Sequence, residues 1–365
     1  MKIALTGAGG FLGFHTRAAA LSLGHSLEVV RVGTEFQQQE AMAAVDGSDR
    51  LIHLAGVNRG SDGEVRDGNL EFATQLADVL RHVPSPPAEL VYANSVHAGN
   101  ASVYGQAKAE AAEVLQAAAE SVGTRFTNVL LPNLFGEHSR PFYNSVMATF
   151  CHLLHAGKVP EILDDKDLGL LHAQDAADVL LGSVPLKDME SLTVPRTVSA
   201  VLCQLQEIAS TYRNGEIPAI TSNFDLALFN TYRSFRLQPT QELPFALDRR
   251  EDARGSFFEV CRSQGGEGQT SFSTTAPGVT RGQHFHRRKV ERFVVLSGTA
   301  EIAMRRLFSD DILRFAVDGS APVAIDMPTL WTHQITNLGE SDLYTMFWAN
   351  EIFDPNNSDT YSDRV

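Results

Sequence analysis

Ser95, Tyr104 and Lys108 are residues whose types and spacing can do chemistry. In a helix beginning near residue 104, positions i and i+4 share a face, so Tyr104 and Lys108 point the same way. A phenol is a weak acid, with an ordinary pKa of about 10, and a neighbouring ammonium favours its phenolate. Such a pair suits reversible proton exchange with an alcohol or carbonyl oxygen, which Ser95 can hold by a hydrogen bond. The spacing Tyr-x-x-x-Lys also arises by chance, so its meaning depends on a hydride source nearby. A second set lies far downstream. His284 and His286 alternate on one strand face, Glu291 follows from the next turn, and His333 is available from a paired strand. Three imidazoles and one carboxylate suit a divalent metal, zinc first, with manganese, iron or nickel as alternatives. Any one of these histidines, taken singly, reads equally well as a polar barrel residue.

The elements upstream of Ser95 supply the hydride side. Residues 2–6 form a short apolar strand, then come Thr6-Gly-Ala-Gly-Gly-Phe-Leu-Gly13 and an alanine-rich helix to about Leu23. Gly7, Gly10 and Gly13, with Phe11 and Leu12 between them, follow a strand and open a helix, the context that marks a dinucleotide loop. Glycines let the backbone approach a pyrophosphate, and the helix start faces it with free N–H groups. A second strand, about Ser26–Val32, carries Arg31 near its end, where an arginine accommodates a 2′-phosphate and an acid reads a free 2′-hydroxyl. No acid closes the strand, so Arg31 favours NADPH over NADH, against the plainer reading of a solvated arginine. A strand over Leu51–Gly56 ends in Leu54, Ala55 and Gly56, small enough to lie against a cofactor, and Asn58 and Arg59 project at the mouth toward a polar substrate. A helix around Asn69–Arg81 follows, then a strand at Glu89–Asn94 that delivers Ser95 at its carboxyl end, where open α/β sheets place ligands. His97 lines the same pocket or is a surface histidine. A further strand, Phe126–Leu131, leads to Pro132 and Asn133.

A chain of 365 residues exceeds one typical core, and two domains are expected. The hydrophobic share of 43% is that of an ordinary soluble protein, and no apolar run approaches the roughly 18–20 residues of a membrane span. The N-terminus lacks a signal-peptide pattern, and Cys151, Cys203 and Cys261 are odd in number and far apart. Both features fit reduced thiols in a cytoplasmic protein. A net charge of −14 argues against a nucleic-acid partner. From about Pro185 the pattern weakens, with helix signals at Ser199–Tyr212 and Phe224–Phe235 and a linker at Leu237–Pro244. Beyond it come short β segments between Gly255 and Trp348, the pattern of a barrel or sandwich. The expected division is therefore an α/β dinucleotide-binding reductase domain with a substrate lobe over 1–243, and an all-β metal-binding domain over 244–365.

Thr-Gly-x-x-Gly-x-x-Gly at 6–13, His53-Leu-Ala-Gly56, Ser95 with Tyr104-x-x-x-Lys108, and Pro132-Asn-x-Phe-Gly136 together resemble the extended short-chain dehydrogenase/reductases, over roughly residues 1–240. The resemblance implies a Rossmann-type fold, Tyr104 as general acid, Lys108 on the nicotinamide ribose, Ser95 on the carbonyl, and Pro132 and Asn133 bordering the nicotinamide. It also implies a nucleotide-sugar near Asn144 and Ser145. His172-Ala-Gln-Asp175 departs from the usual Tyr-Val-Asp-Asp of that position. Gly278, His284, His286, Glu291, Pro328 and His333 are similar in spacing to the cupin superfamily. Reductase followed by cupin, with Arg254-Gly-Ser-Phe257 and Asn350 through Tyr361, resembles a family of capsular-polysaccharide enzymes. That implies NADPH-dependent reduction of the 4-keto group of a UDP-linked 4-keto-6-deoxy-N-acetylhexosamine, with C3 epimerisation by the metal cupin and, by analogy, a homodimer. The run Arg287-Arg288-Lys289 is more basic than this pattern leads one to expect. No general base for the epimerisation is readable, Tyr344 and Asp326 being the candidates. The alternatives are a reductase of another sugar ketone with a structural cupin, a dioxygenase cupin, and a non-catalytic NADPH-sensing protein.

Overall fold

The computed structural model describes residues 1–236, 244–253 and 255–365. Residues 237–243 of the linker read at Leu237–Pro244, and with them the boundary expected at 243/244, lie outside the described residues, as does Arg254. Strands β1 (Lys2–Thr6), β2 (Ser26–Val30), β3 (Arg50–His53), β4 (Glu89–Ser95) and β5 (Arg125–Leu131) pair in parallel in the order β2-β1-β3-β4-β5. Helices α1 (Phe11–Ser22), α2 (Gln38–Val45), α3 (Asp62–His82) and α4 (Val103–Ser121) connect them. Six of the seven residues of β4 are buried, as a central parallel strand covered on both faces requires. One face packs Leu76, Leu80 and Leu115 of α3 and α4 against Leu51 and Leu90. The other packs Ile3, Leu5, Ile52 and Val91 against α1 and a later helix.

This is the expected Rossmann-like sheet, with its change of winding direction between β1 and β3. Helix α3 begins seven residues before the expected start. Its signal is the capping box Ser61-x-x-Glu64, in which each side chain accepts from the other residue's backbone N–H. Beyond β5 lie β6 (Asn133–Phe135), α5 (Val146–His155), β7 (Asp167–His172), α6 (Ala173–Leu181), α7 (Met189–Leu192), β8 (Val194–Thr197), α8 (Val198–Arg213) and α9 (Asn223–Ser234).

From residue 245 the described elements are strands: β9 (Phe245–Ala246), β10 (Arg250–Asp252), β11 (Gly255–Phe257), β12 (Gln269–Thr275), β13 (Thr280–Phe285), β14 (Glu291–Ser297), β15 (Thr299–Arg306), β16 (Ile312–Asp318), β17 (Val323–Met327), β18 (Trp331–Asn337), β19 (Leu343–Ala349) and β20 (Tyr361–Ser362). Two antiparallel five-stranded sheets, β12-β19-β14-β17-β9 and β16-β15-β18-β13-β20, make the cupin-like barrel. Its interior is filled by Val295, Ile302, Met304, Ile325, Met327, Trp331 and Ile335. By packing, the chain forms two compact units, Met1–Phe135 with Asp167–Arg196, and Gly136–Lys166 with Thr197–Val365. Helices α5, α8 and α9 thus belong to the same unit as the barrel, although helix gives way to strand only after them. Among the described residues, no helix is long and apolar enough to cross a membrane.

The period of two along β14 sends Glu291 and Phe293 inward and Arg292 outward. Arg292 is nevertheless 1% exposed, because its guanidinium makes two hydrogen bonds to Asp326 at 2.6 and 3.0 Å and a third to the Gly215 carbonyl. Tyr212 of α8 donates to the same carboxylate at 2.6 Å. Burial alone would raise the Asp326 pKa, and the charge and hydrogen bonds of Arg292 bring it below the usual value. Asp326→Ala leaves a buried guanidinium without its counter-charge, and its expected cost is about 3–5 kcal/mol. Denaturant unfolding followed by tryptophan fluorescence checks this, and a loss of less than about 1 kcal/mol, the scale of a surface pair, contradicts it.

Candidate functional site

The first candidate site is built where β1, β3 and β4 end. Thr6 closes β1, and its Oγ1 accepts from the backbone N–H of Leu54 at 3.1 Å and of Ala55 at 3.2 Å. With those lone pairs used, its proton goes to His53 Nδ1, 2.7 Å away. His53 is fully buried and its pKa falls to about 3, by burial first and then by the charge of Lys108, so it is a neutral acceptor. Gly7 follows with φ +69°, and a Cβ there would sit 2.7 Å from the Ala55 nitrogen. At Gly13 a Cβ would lie 2.1 Å from the Gly7 carbonyl. The glycines of the loop and the small residues 55 and 56 therefore allow β3 and the loop to touch each other. Gly10 precedes α1 with no side-chain cap, and Gly9 and Gly10 are exposed. Phe11, Leu12, Leu54, Pro132 and Asn133 are half-buried around this edge, and an exposed glycine turn with uncapped helix amides fits a dinucleotide pyrophosphate.

Ser95 ends β4, where its Oγ accepts from the His97 N–H at 3.2 Å, and it lies close enough to the Tyr104 phenol in the first turn of α4 to act on its pKa. Ser102 caps that helix and Gly105 lets it pack close. A Cβ at 105 would meet the Asn100 side chain at 2.2 Å and the His97 carbonyl at 2.3 Å. Lys108 lies one turn on, as the spacing predicts, but its ammonium is engaged elsewhere. It donates to the Ala93 carbonyl at 2.8 Å and sits 4.1 Å from the centre of the Tyr92 ring, which stacks on His53. Burial draws the Lys108 pKa down to about 7. The expected lowering of the Tyr104 pKa is not seen: burial raises it, opposed by Ser95. Tyr92 is a support that motif spacing did not reveal, since it reads as a strand residue, whereas His53 opens the His53-Leu-Ala-Gly56 motif.

The remaining candidates divide. Arg31 is exposed just past β2, 3.6 Å from Glu35 and 3.8 Å from Glu40. Asn58, Arg59 and His97 are exposed on loops at the carboxyl edge of the same sheet. Asn144 and Ser145 belong to the other compact unit, where Ser145 caps α5 by accepting from the Ala148 N–H.

The second candidate site lies inside the barrel. A bulge at Gln283, φ +62°, breaks the alternation of β13, yet the rings of His284 and His286 remain 5.0 Å apart. His333 is the register partner of His284, and Glu291 opens β14. One ligand atom from each of the four falls within 4.8 Å of the others. His286 Nδ1 bonds the Asp359 carbonyl at 2.6 Å and His333 Nδ1 the Trp331 carbonyl at 3.2 Å, so each turns its Nε2 lone pair inward. Both Nε2 atoms are buried without a hydrogen-bond partner, though the Glu291 carboxylate lies 3.1 and 3.7 Å away. Burial lowers the His284 pKa to about 4, and the neighbouring imidazoles add to the shift. Burial opposes ionisation of Glu291, and the two histidines overcome it and hold its pKa well below the ordinary value. Three imidazoles, a carboxylate held ionised and two buried inward nitrogens without a hydrogen-bond partner fit a divalent cation. Neither candidate base serves this interior. Asp326 points out of the barrel into the Arg292 pair, and Tyr344 is an exposed outer-face residue against Phe272.

Residues 3–184 match the NAD dependent epimerase/dehydratase family, and residues 250–361 the polysaccharide biosynthesis C-terminal domain. The chain is 33% identical over 373 residues to UDP-2-acetamido-2,6-beta-L-arabino-hexul-4-ose reductase of Pseudomonas aeruginosa, covering 100% of this chain and 99% of the relative. Among solved structures it resembles the capsular polysaccharide assembling protein CapF of Staphylococcus aureus, at 29% identity and TM-score 0.61 over the whole of both chains. UDP-glucose 4-epimerase of Thermotoga maritima, at 16% identity and TM-score 0.52 over 65% of this chain and 99% of that one, shares the fold.

The buried lysine gives a pH test. Its pKa is about 7 in the folded protein and near the ordinary lysine value of 10.5 when unfolded. Between those values the unfolded chain holds a proton that the folded chain has shed, so the stability contributed by this group rises with pH. Lys108→Met removes that slope. The wild type is expected to gain on the variant as pH rises from 7 to about 10 in denaturant unfolding, and a constant difference contradicts the assignment.

Proposed function

The chain belongs to the family of nucleotide-sugar reductases in which an epimerase/dehydratase-type domain precedes a polysaccharide biosynthesis C-terminal domain, and we propose from that premise a specific reaction. It is NADPH-dependent reduction of the 4-keto group of a UDP-linked 4-keto-6-deoxy-N-acetylhexosamine, with prior C3 epimerisation in the barrel. The single observation that carries the reductase half is the placement of Ser95 and Tyr104 at the carboxyl edge of a dinucleotide-type sheet, with Lys108 one helical turn from Tyr104. Bound NADPH supplies the hydride. Tyr104 gives its phenolic proton to the forming alkoxide, and Ser95 donates a hydrogen bond to the same oxygen. Lys108, fixed by Ala93, presents its remaining protons to the cofactor ribose and the phenol. Gly7, Gly10 and Gly13 hold the pyrophosphate, and Pro132 and Asn133 border the nicotinamide. Arg31 reads the 2′-phosphate, while Asn58, Arg59 and His97 meet the nucleotide-sugar.

In the barrel, His284, His286, Glu291 and His333 would hold the metal, zinc first. A divalent ion held there would supply Lewis-acid polarisation of a ketone oxygen. Burial disfavours the charged form of His284 and His333, and Glu291 is held ionised, the forms in which these groups bind a cation. A homodimer, by analogy with the family, belongs to the same proposal.

Purified protein with NADPH and the UDP-linked keto-sugar is expected to oxidise NADPH. Tyr104→Phe should lower kcat by roughly a hundred- to ten-thousand-fold, the usual contribution of general acid catalysis. Absence of NADPH oxidation with every UDP-4-keto-6-deoxy-hexosamine tried would sink the proposal. In deuterated water without NADPH, deuterium should enter at C3, and His333→Ala should abolish that exchange while leaving reduction of pre-epimerised sugar intact. A cupin without an epimerase role gives no exchange. Arg31→Ala should raise KM for NADPH while leaving KM for NADH unchanged.

A further inference from the structure

We propose that Asp359 is a positioning residue that holds the metal-ligating set from outside, an inference that rests on reading His284, His286, Glu291 and His333 as a metal site. Asp359 is 4% exposed and about seventy residues from the ligands it faces. Its carboxylate accepts from three successive backbone N–H groups: Arg287 at 3.2 Å on one oxygen, Arg288 at 2.9 Å and Lys289 at 2.8 Å on the other. Its own carbonyl accepts from His286 Nδ1 at 2.6 Å. To aim both groups at one loop the residue adopts φ +47°, a left-handed conformation that Asp tolerates better than most residues with a side chain. An aspartate there does what glycine, with freer backbone, has no carboxylate to do.

The neighbours of Asp359 extend the same contact. Lys289 is buried, with its ammonium 3.4 Å from both the Ser358 carbonyl and the Thr360 hydroxyl, and 3.3 Å from Glu291 Oε1. The other carboxylate oxygen, Oε2, is the one that faces His286 and His333. The segment 358–360 therefore fixes two ligands at once. It orients His286 through a carbonyl, and it places the lysine that leaves only one Glu291 oxygen for an ion. This also accounts for the basic run after the histidine pair. Arg288 reaches Glu351 at 3.1 and 3.2 Å, and the Asn357 carbonyl at 2.8 Å, so the run binds the segment leading into β20.

Outer partners of this kind typically change metal affinity by about 10–100-fold when removed. The test is zinc affinity of the full-length protein by competition with a chromophoric chelator, for wild type, Asp359→Ala, Asp359→Asn and Asp363→Ala. Asp363 ties the same terminal segment to Arg305 at 2.7 Å and to Thr332, on the outer side of the barrel, and serves as the control for simple docking of that segment. Asp359→Ala is expected to weaken zinc binding about 10–100-fold, with the near-ultraviolet circular dichroism of the wild type. Asp359→Asn, which keeps one acceptor oxygen, should fall between, and it stands in if the alanine variant fails to fold. Asp363→Ala should leave zinc affinity unchanged. Zinc binding by both Asp359 variants as tight as the wild type's overturns the proposal, and so does an equal loss in Asp363→Ala. A wild-type chain that binds no zinc removes the metal reading instead. Long-range 15N spectra of the chelator-treated protein then decide on Asp359: loss of the Nδ1–H form of His286 in Asp359→Ala supports its positioning role, and an unchanged tautomer overturns it.

Discussion

A charge taken out of water must be met by the protein around it, or the group gives up its charge. Much of this molecule is arranged around three such burials. Lys108 is met by the Ala93 carbonyl and the face of Tyr92, and burial still draws its pKa down to about 7. Arg292 is met by Asp326, with Tyr212 on the same carboxylate. Glu291 is met by Lys289 on one oxygen and by two histidines on the other. The first and third are the centres of the two candidate sites, and the second ties a barrel strand to helix α8 within one unit.

Strand periodicity assigns these roles. Residues 291 and 292 are adjacent, and successive side chains of a strand leave on opposite faces. The carboxylate therefore joins the histidines in the interior while the guanidinium joins Asp326 outside. The same rule removes Asp326 and Tyr344 from consideration as bases for chemistry in the barrel. A bulge at Gln283 disturbs the period between His284 and its neighbours, yet both rings reach the cluster, because the chain segment after β13 is held by Asp359.

In the parallel sheet the governing contact is steric. The Gly7 loop and the end of β3 lie so close that a Cβ at position 7 has no room, and Thr6 closes the gap with bonds to His53, Leu54 and Ala55. The His53-Leu-Ala-Gly56 stretch is thus explained by packing against the loop as well as by any ligand it meets. His53 then stacks on Tyr92, which lies under Lys108, so the glycine loop and Lys108 share one support.

Local order in the chain by itself determined the parallel sheet, the all-strand second half, the glycine loop and the four-residue ligand set. Each of these depends on short-range spacing: glycines against a strand and helix, a tyrosine and lysine one turn apart, histidines two apart on a strand. Element ends were legible to within a few residues except at α3, whose Ser61-x-x-Glu64 capping box precedes the apolar pattern. The partners of the buried charges were not legible. Tyr92 reads as a strand residue, Asp359 as part of the Asn350–Tyr361 stretch with no stated role, and Asp326 as a candidate base. Their roles exist only because the fold brings residues tens of positions apart to within 3 Å in a place without water. Which ionisable groups share such a place depends on the packed interior, where burial turns an ordinary polar side chain into a required counter-charge.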